Sequence, residues 1–206
     1  MRKRFIVVGL LTLTIVAGAI TAWIVNASGF STRARPTWAE RVTARTVRQW
    51  AVPQHMRQAI NPVTFSTDVW ADSRAHFADH CATCHANDGS GDTAIGRNLY
   101  PKAPDMRLAE TQRLTDGELY WIIENGVRLT GMPAWGPGGD NDTDSWKLVH
   151  FIRHLNDLTP AQIADMTALN PKSPAEREEE RQDQDFLDGK APGPPSQPPS
   201  HHRHKE

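Results

Sequence analysis

Apolar residues along the chain form one long uncharged run and, further on, several stripes with helical spacing. The run covers residues 5–27 without a charged side chain. As a helix it would rise about 34 Å, enough to cross a hydrocarbon core about 30 Å thick. The pattern therefore predicts an all-α protein with a transmembrane helix at its N-terminus.

Residues 1–27 have a second interpretation, a cleaved secretory signal. Three basic residues precede the run, and small residues such as Ala17 and Ala19 are typical of a cleavage site. The run is longer than the apolar segment of most signal peptides, which favours an uncleaved anchor. Both interpretations predict an exported chain.

Two of the later stripes have clear helix signals. The first begins near Asp68 and continues without Gly or Pro until Gly89. The second helix begins with a capping box formed by Thr115 and Glu118, and Gly126 is expected to end it. Between them the sequence is rich in Gly, Asp and Pro over residues 87–104, which predicts a loop.

A third helix is expected from a cap at Asp142 or Thr143 through Leu158, with an apolar stripe of Leu148, Phe151, Ile152 and Leu155. Thr159 and Pro160 predict the start of a short fourth helix that ends by residue 171. Beyond it the chain is charged and then rich in Pro, so residues 174–206 are predicted to be disordered.

These elements divide the chain into five regions: an anchor (1–27), a juxtamembrane stalk (28–67), the main domain (68–158), a short helix (159–173) and a tail (174–206). The stalk holds six Arg and one Glu, whereas the main domain holds fourteen Asp or Glu and eight Lys or Arg. The stalk is predicted to be either an amphipathic helix on anionic headgroups or a solvated linker. Without a basic face on the main domain, nucleic acid is not an expected partner.

The two cysteines, Cys81 and Cys84, are followed directly by His85. Cys-x-x-Cys-His is the attachment pattern of c-type haem. A redox dithiol would be expected beside a strand–helix–strand pattern, and a structural zinc site needs further ligands nearby. The motif therefore predicts one covalent haem c on the two cysteines, with His85 as an axial ligand of the iron.

Five methionines are candidates for the opposite ligand. Met1 precedes the apolar run, Met56 lies in the stalk, and Met166 belongs to a helical stripe. Met106 follows His85 closely, whereas Met132 lies between Gly131 and Pro133 in an extended loop. We expect Met132 to be the second axial ligand. In the tail, His201, His202 and His204 are interpreted as a solvated or tag-like segment, with copper or nickel binding as the alternative.

Residues 68–158 resemble the class I cytochrome c family, especially its single-haem modules in membrane dehydrogenases and oxidases. Phe77 stands four residues before Cys81, where the family has an aromatic residue, and Leu148 and Phe151 match its last helix. The resemblance implies that the first and last helices cross. Ser73 replaces the glycine usual at that crossing, and Gly131-Met132-Pro133 resembles the usual setting of the axial methionine.

The segment Gly96-Arg97-Asn98-Leu99 resembles the family's Gly-Pro-Asn-Leu, whose proline carbonyl accepts a hydrogen bond from the proximal histidine. In this interpretation the carbonyl of Arg97 takes that part, because a backbone carbonyl survives substitution.

A six-coordinate iron leaves little room for a substrate, so the sequence predicts an electron carrier rather than an enzyme. We expect it in the cytoplasmic membrane, single-pass, with its haem domain in the periplasm and redox proteins or a membrane oxidoreductase complex as partners. Two alternatives remain: a haem sensor or small haem enzyme with a displaceable Met132, and an anchored interaction module that uses the tail.

Overall fold

The computed structural model describes residues 2–29 and 31–189. In these ranges the chain consists of helices and loops, with no β-strand, as the apolar pattern predicts. Residues up to Asn170 form one unit and those from Pro171 a second. The α-helices are α1 (Arg2–Ser28), α2 (Trp38–Ala51), α3 (Gln54–Arg57), α4 (Thr67–His76), α5 (Ala82–His85), α6 (Ala109–Gln112), α7 (Asp116–Asn125), α8 (Thr143–Arg153), α9 (Pro160–Met166) and α10 (Pro174–Leu187).

Helix α1 contains a 24-residue apolar stretch, Arg4–Ala27, that is long enough to cross a membrane. Its large apolar side chains are exposed, as expected for a helix that does not belong to the folded core. A signal sequence meets the same criteria of length and composition. The structure thus agrees with the predicted N-terminal apolar helix.

The middle of the stalk is helical. In α2, the Thr37 hydroxyl accepts a hydrogen bond from the backbone of Glu40, whose carboxylate caps the backbone of Thr37 in return. This capping box satisfies two backbone donors that would otherwise lack partners, which stabilises the first turn.

A nearly continuous helical segment leads into the two cysteines, as predicted. The Ser66 hydroxyl caps α4, and the chain then forms a π-helical segment, Phe77–Cys81, before α5. The widened π turn is a feature that the apolar spacing did not predict. Such turns are rare and are often found at functional sites.

The structure confirms the two predicted N-terminal caps of α7 and α8. Thr115 and Glu118 form the capping box of α7, and Gly126 ends that helix with a positive φ of 66°. Asp142, rather than Thr143, caps α8.

Helix α8 ends at Arg153, five residues before the predicted end at Leu158. His154 leaves the helical pattern, its imidazole Nδ1 lying 2.7 Å from the backbone carbonyl of His150. A short 3₁₀ helix, Leu155–Asp157, then keeps Leu155 in the core. The apolar stripe is therefore buried as predicted, although the α-helix beneath it is shorter.

Helices α4 and α8 meet through aromatic contacts that continue into the π-helical segment. The ring of Phe151 lies 4.6 Å from that of Phe77 and 5.4 Å from that of Trp70. Ser73 is 1% exposed there, and its hydroxyl donates to the Trp70 carbonyl at 3.1 Å. A serine fits this close approach because its one polar group is satisfied by its own helix.

The core also includes residues that precede position 68. Val52 and Met56, from the segment predicted to be the stalk, are each 2% exposed. Gly117 of α7 lies directly against the Met56 carbonyl, where an added Cβ would come within 1.7 Å of the oxygen. Only glycine allows this approach of the two backbones.

The short helix α9 begins with the expected Thr159 cap, and Met166 at its end is fully buried. Met166 is thus a core residue, as its helical stripe predicted.

The second unit contains α10 in a region expected to be disordered. The Ser173–Glu176 capping box and the pairing of Arg181 with Glu178 and Asp185 supply local stabilisation that composition alone did not reveal. The structure thus differs from the prediction over Pro174–Leu187. The remaining tail with His201, His202 and His204 lies outside the described residues.

Candidate functional site

The thiols of Cys81 and Cys84 are both neutral at ordinary pH. Cys81 ends the π-helical segment, and burial, together with the neighbouring Cys84, raises the pKa of its thiol to about 12. Burial also raises the pKa of Cys84. A reactive redox cysteine or a metal-binding cysteine needs an accessible thiolate, so these surroundings disfavour a dithiol switch.

The described residues also do not support the alternative that the two cysteines are part of a zinc site. Within them, no three His, Cys, Asp or Glu side chains converge as a metal site. Cys81, Cys84 and His85 instead follow one another along a single helical segment, the arrangement that the Cys-x-x-Cys-His motif predicts.

His85 is the last residue of α5, and its imidazole is largely buried. Burial lowers the pKa of this ring, while the backbone carbonyl of Pro104 opposes that shift. Neutral imidazole is the form that binds metals. Its Nδ1 atom is buried and finds no hydrogen-bond partner among the described residues, so the contact with Pro104 falls short of a hydrogen bond at that nitrogen.

The residue that faces His85 differs from the one inferred from the sequence. The Gly96-Arg97-Asn98-Leu99 segment suggested the carbonyl of Arg97, but the structure brings the carbonyl of Pro104 to the imidazole. Arg97 lies in the 3₁₀ helix Gly96–Asn98 and is exposed. The sequence signal that was missed is Ala103-Pro104-Asp105-Met106, a second proline-containing segment further along the same loop.

The loop after α5 folds back onto the cysteines. Gly91 N–H donates to the His85 carbonyl at 2.8 Å, and the Thr93 hydroxyl donates to the Cys84 carbonyl at 3.3 Å. Gly96 packs so closely that an added Cβ would lie 2.2 Å from the Cys84 carbonyl oxygen. These contacts hold the motif's backbone from one side.

Further along, the same loop is held by a guanidinium. Arg107 donates to both carboxylate oxygens of Asp105, at 2.9 and 2.8 Å, and to Asp88 at 2.8 Å. The Met106 N–H donates to the Gly89 carbonyl at 2.8 Å. Met106 itself is 7% exposed and belongs to the core. The ends of the loop are therefore tied together around His85.

Met132 lies in the predicted loop and is half-buried. Its N–H donates to the Thr130 hydroxyl at 3.1 Å, and its carbonyl accepts from the Val127 N–H at 3.0 Å. Gly126, at the end of α7, packs against this loop, because an added Cβ there would lie 2.7 Å from the Met132 carbonyl oxygen. Met132 is thus fixed at its backbone on both sides.

A buried carboxylate on α7 holds the loop that follows Met132. Glu124 is 1% exposed and accepts hydrogen bonds from the Gly138 N–H at 2.8 Å and the Ser145 hydroxyl at 3.0 Å. Gly136 fits against this carboxylate, because a Cβ there would approach it to 1.8 Å. Buried carboxylates are rare unless they are paired or hydrogen-bonded.

One turn earlier on α7, Tyr120 holds the end of the same loop. Its hydroxyl donates to the Gly139 carbonyl at 3.0 Å and accepts from the Asp142 N–H at 2.9 Å. Its ring stacks on Trp146 with centroids 4.2 Å apart. Neither Tyr120 nor Glu124 was singled out from the sequence, although their i, i+4 spacing on a capped helix places both on one face.

Two contacts bring the Met132 loop to the cysteine motif. Leu99 of the first loop lies against Gly131, where an added Cβ would be 2.6 Å from the leucine side chain. His80, just before Cys81, makes an edge-on ring contact with Trp135, with centroids 5.3 Å apart. Cys81, Cys84, His85 and Met132 are therefore parts of one region of the molecule.

The side chains in this region fit a covalently bound haem. Two neutral thiols are adjacent to a neutral imidazole, and the imidazole has a buried nitrogen that lacks a partner among the described residues. A buried polar atom without a partner costs on the order of 1–3 kcal/mol. A metal-binding imidazole donates its second ring N–H to an acceptor such as a backbone carbonyl, and the carbonyl of Pro104 is the nearby acceptor for His85.

Part of the chain matches a known protein family. Residues 68–152 match the family model described as cytochrome C oxidase, cbb3-type, subunit III. The match begins at the start of α4 and ends in α8, so it contains both cysteines, His85 and Met132. None of the curated proteins matches the chain significantly.

Proposed function

We propose that the chain is a membrane-tethered electron carrier with one haem c. Residues 68–152 match a cytochrome family model, and a cytochrome c domain binds haem and transfers electrons. Thioether bonds from Cys81 and Cys84 would hold the haem, and His85 and Met132 would be the axial ligands. The observation that carries this proposal is the sequence of two neutral thiols and one neutral, buried imidazole along one helical segment.

When bound, haem supplies an iron that alternates between Fe(III) and Fe(II). The chain's own residues decide what that iron can do. A neutral imidazole and an uncharged thioether stabilise Fe(II) relative to charged ligands and so favour a high potential. Two protein ligands also leave the iron without an open position, which favours electron transfer over oxygen chemistry.

Met132 is supported as the second ligand by its loop. Its backbone is bonded to Thr130 and Val127, while its side chain is half-buried rather than part of the core. Met106, the nearest competitor, is buried among core side chains. The hydrogen bonds that hold the Met132 loop also argue against a sensor in which this methionine is easily displaced.

The ligand assignment is tested by two matched substitutions, Met132→Leu and Met106→Leu. Leucine preserves volume and costs less than about 1.5 kcal/mol in a core. In the ferric protein, Met132→Leu should abolish the weak near-infrared band of a thioether-ligated haem and lower the midpoint potential, whereas Met106→Leu should retain both. Loss of the band in Met106→Leu alone would assign the ligand to Met106.

We also propose that α1 anchors the protein in the cytoplasmic membrane with the haem domain in the periplasm. The support is the length of its apolar stretch, Arg4–Ala27, and the completion of c-type haem attachment outside the cytoplasm. Alkaline carbonate should leave the haem in the membrane pellet, and protease added to spheroplasts should digest the haem domain. Haem released into the soluble fraction would instead indicate cleavage after α1.

A further inference from the structure

Helix α2 has two unlike sides. Helical spacing puts Val42 and Trp50 on one side and Arg41 and Arg48 on the other, with Val47 at one border and Trp38 next to Arg45 at the other border. An amphipathic helix with cationic and aromatic sides normally lies in a membrane interface with its cations toward lipid headgroups. In this protein, the arginine side faces the rest of the protein instead of lipid headgroups.

The arginine side faces the acidic cytochrome domain. Arg45 pairs with Glu110, and the Tyr100 hydroxyl donates to Glu40 at 3.0 Å. Burial lowers the pKa of Arg48, and the charges of Glu118 and Glu110 oppose that shift. Arg45 is therefore paired with a carboxylate of the cytochrome domain, and Arg48 lies in the field of two more.

The opposite side of α2 has no covering group among the described residues. Trp38 is 72% exposed and Trp50 is 77% exposed, with Val47 at 56% and Val42 at 42%. Two exposed tryptophans twelve residues apart on one helix are unusual on a soluble surface. Tryptophan is enriched at the boundary between lipid headgroups and acyl chains, where its ring is apolar and its N–H is satisfied by water.

The position of α2 in the chain limits what can cover this side. Only nine residues, 29–37, separate α1 from α2, so the first turn of α2 lies within about 30 Å of the end of the anchor even if they are fully extended. An apolar face tethered so close to a bilayer meets lipid at high local concentration.

We propose that the tryptophan side of α2 lies in the headgroup–acyl boundary of the bilayer. Because the arginine side contacts the cytochrome domain, α2 would then hold that domain in one orientation on the membrane. The proposal rests on α1 being an anchor, as proposed above. Because Arg45 and Arg48 have carboxylates of the same molecule nearby, this orientation is not expected to require anionic lipid. It limits the directions in which the haem can approach partners in or on the membrane.

The test uses the full-length holoprotein in proteoliposomes with a spin label on either side of α2. Thr46→Cys lies on the tryptophan side and Ala44→Cys on the arginine side; neither replaces a tryptophan or an arginine. The label at 46 should be more accessible to oxygen than to a water-soluble nickel chelate, and the label at 44 should show the reverse. The same contrast should appear in neutral phosphatidylcholine vesicles and in vesicles with anionic lipid.

A third sample adds Trp38→Ser and Trp50→Ser to Thr46→Cys and should make the label at 46 as accessible to the nickel chelate as the label at 44. Equal chelate access at 44 and 46 in the unsubstituted background would overturn the proposal, because both sides would then be in water. Exclusion of both reagents at 46, in detergent as well as in vesicles, would overturn it in favour of a protein partner. Dependence on anionic lipid would overturn the charge argument.

Failure of this proposal is distinguishable from failure of the proposed function. The visible spectrum and carbonate extraction of the same samples report haem binding and anchoring, and neither measurement depends on which side of α2 meets lipid.

Discussion

The Ser145 hydroxyl donates a hydrogen bond of 3.0 Å to the Glu124 carboxylate, and both residues are almost fully buried. The bond joins α8 to α7, and the other oxygen of the same carboxylate binds the Gly138 N–H. The loop that contains Met132 is thereby attached to both helices. The geometry of the axial methionine should therefore depend on a side chain that is eight residues away from it.

Glu124→Ala should weaken or abolish the near-infrared band of the ferric protein while His85 and the two cysteines are intact. Removal of the carboxylate leaves the Gly138 N–H and the Ser145 hydroxyl without their acceptor, at a cost of about 1–3 kcal/mol. Glu124→Gln keeps one acceptor oxygen and should retain most of the band. The exposed Glu110→Gln is a control that should leave it unchanged; a full band in Glu124→Ala would show that Glu124 does not position Met132.

Phe151→Ala should destabilise the domain by about 3–5 kcal/mol, as expected for removal of a buried aromatic side chain. Phe151 is fully buried and contacts both Phe77 and Trp70. Phe186→Ala is the matched control, because Phe186 of α10 is 77% exposed, and it should change stability by less than about 0.5 kcal/mol. Thermal unfolding followed at the haem absorption would compare the two variants; similar midpoints would contradict the described core.

Gly117→Ala should cost about 3 kcal/mol, the upper end for overpacking, because its methyl group would meet the Met56 carbonyl. Gly138→Ala is the comparison: no described atom lies within 4 Å of its added methyl group, so only the strain of a positive φ, about 1 kcal/mol, is expected. Urea unfolding of the two variants measures the difference. An equal cost would mean that residues 52–57 are not packed against α7.

Arg107→Gln should reduce stability at neutral pH but have little effect in acid. Hydrogen bonds from Arg107 lower the pKa of Asp105 below its usual 3.8 in the folded protein. A carboxyl with a lowered pKa contributes stability above its unfolded pKa, and that contribution is lost as the pH falls through the folded value. The difference in unfolding midpoint between the native protein and Arg107→Gln should therefore shrink from pH 7 to pH 3. A constant difference would exclude this ion pair as its cause.

The sequence predicted those features of the fold whose causes are local. Thr115 with Glu118, Gly126 and Asp142 act within one turn of their own helices, so their spacing is sufficient to predict the ends that they form. The Cys-x-x-Cys-His motif is equally local. Each of these signals depends on residues at most a few positions apart, which is why they were recognisable without a structure.

Other features depend on residues distant in sequence, and these were missed. The burial of Val52 and Met56 depends on a glycine in α7, and the role of Glu124 depends on a serine in α8. The choice between Arg97 and Pro104 as the carbonyl near His85 depends on how an eighteen-residue loop folds back, which its composition of Gly, Asp and Pro does not specify. Periodicity reports which side of a helix is apolar, but not which partner covers it.

Covalent attachment of haem to Cys81 and Cys84 can be measured by mass spectrometry of a proteolytic peptide that contains residues 81–85, taken from protein exported by cells able to attach c-type haem. This peptide should be heavier than its sequence by one haem, and the added mass should remain after denaturation. A peptide of unmodified mass with two free thiols, from correctly exported protein, would contradict it.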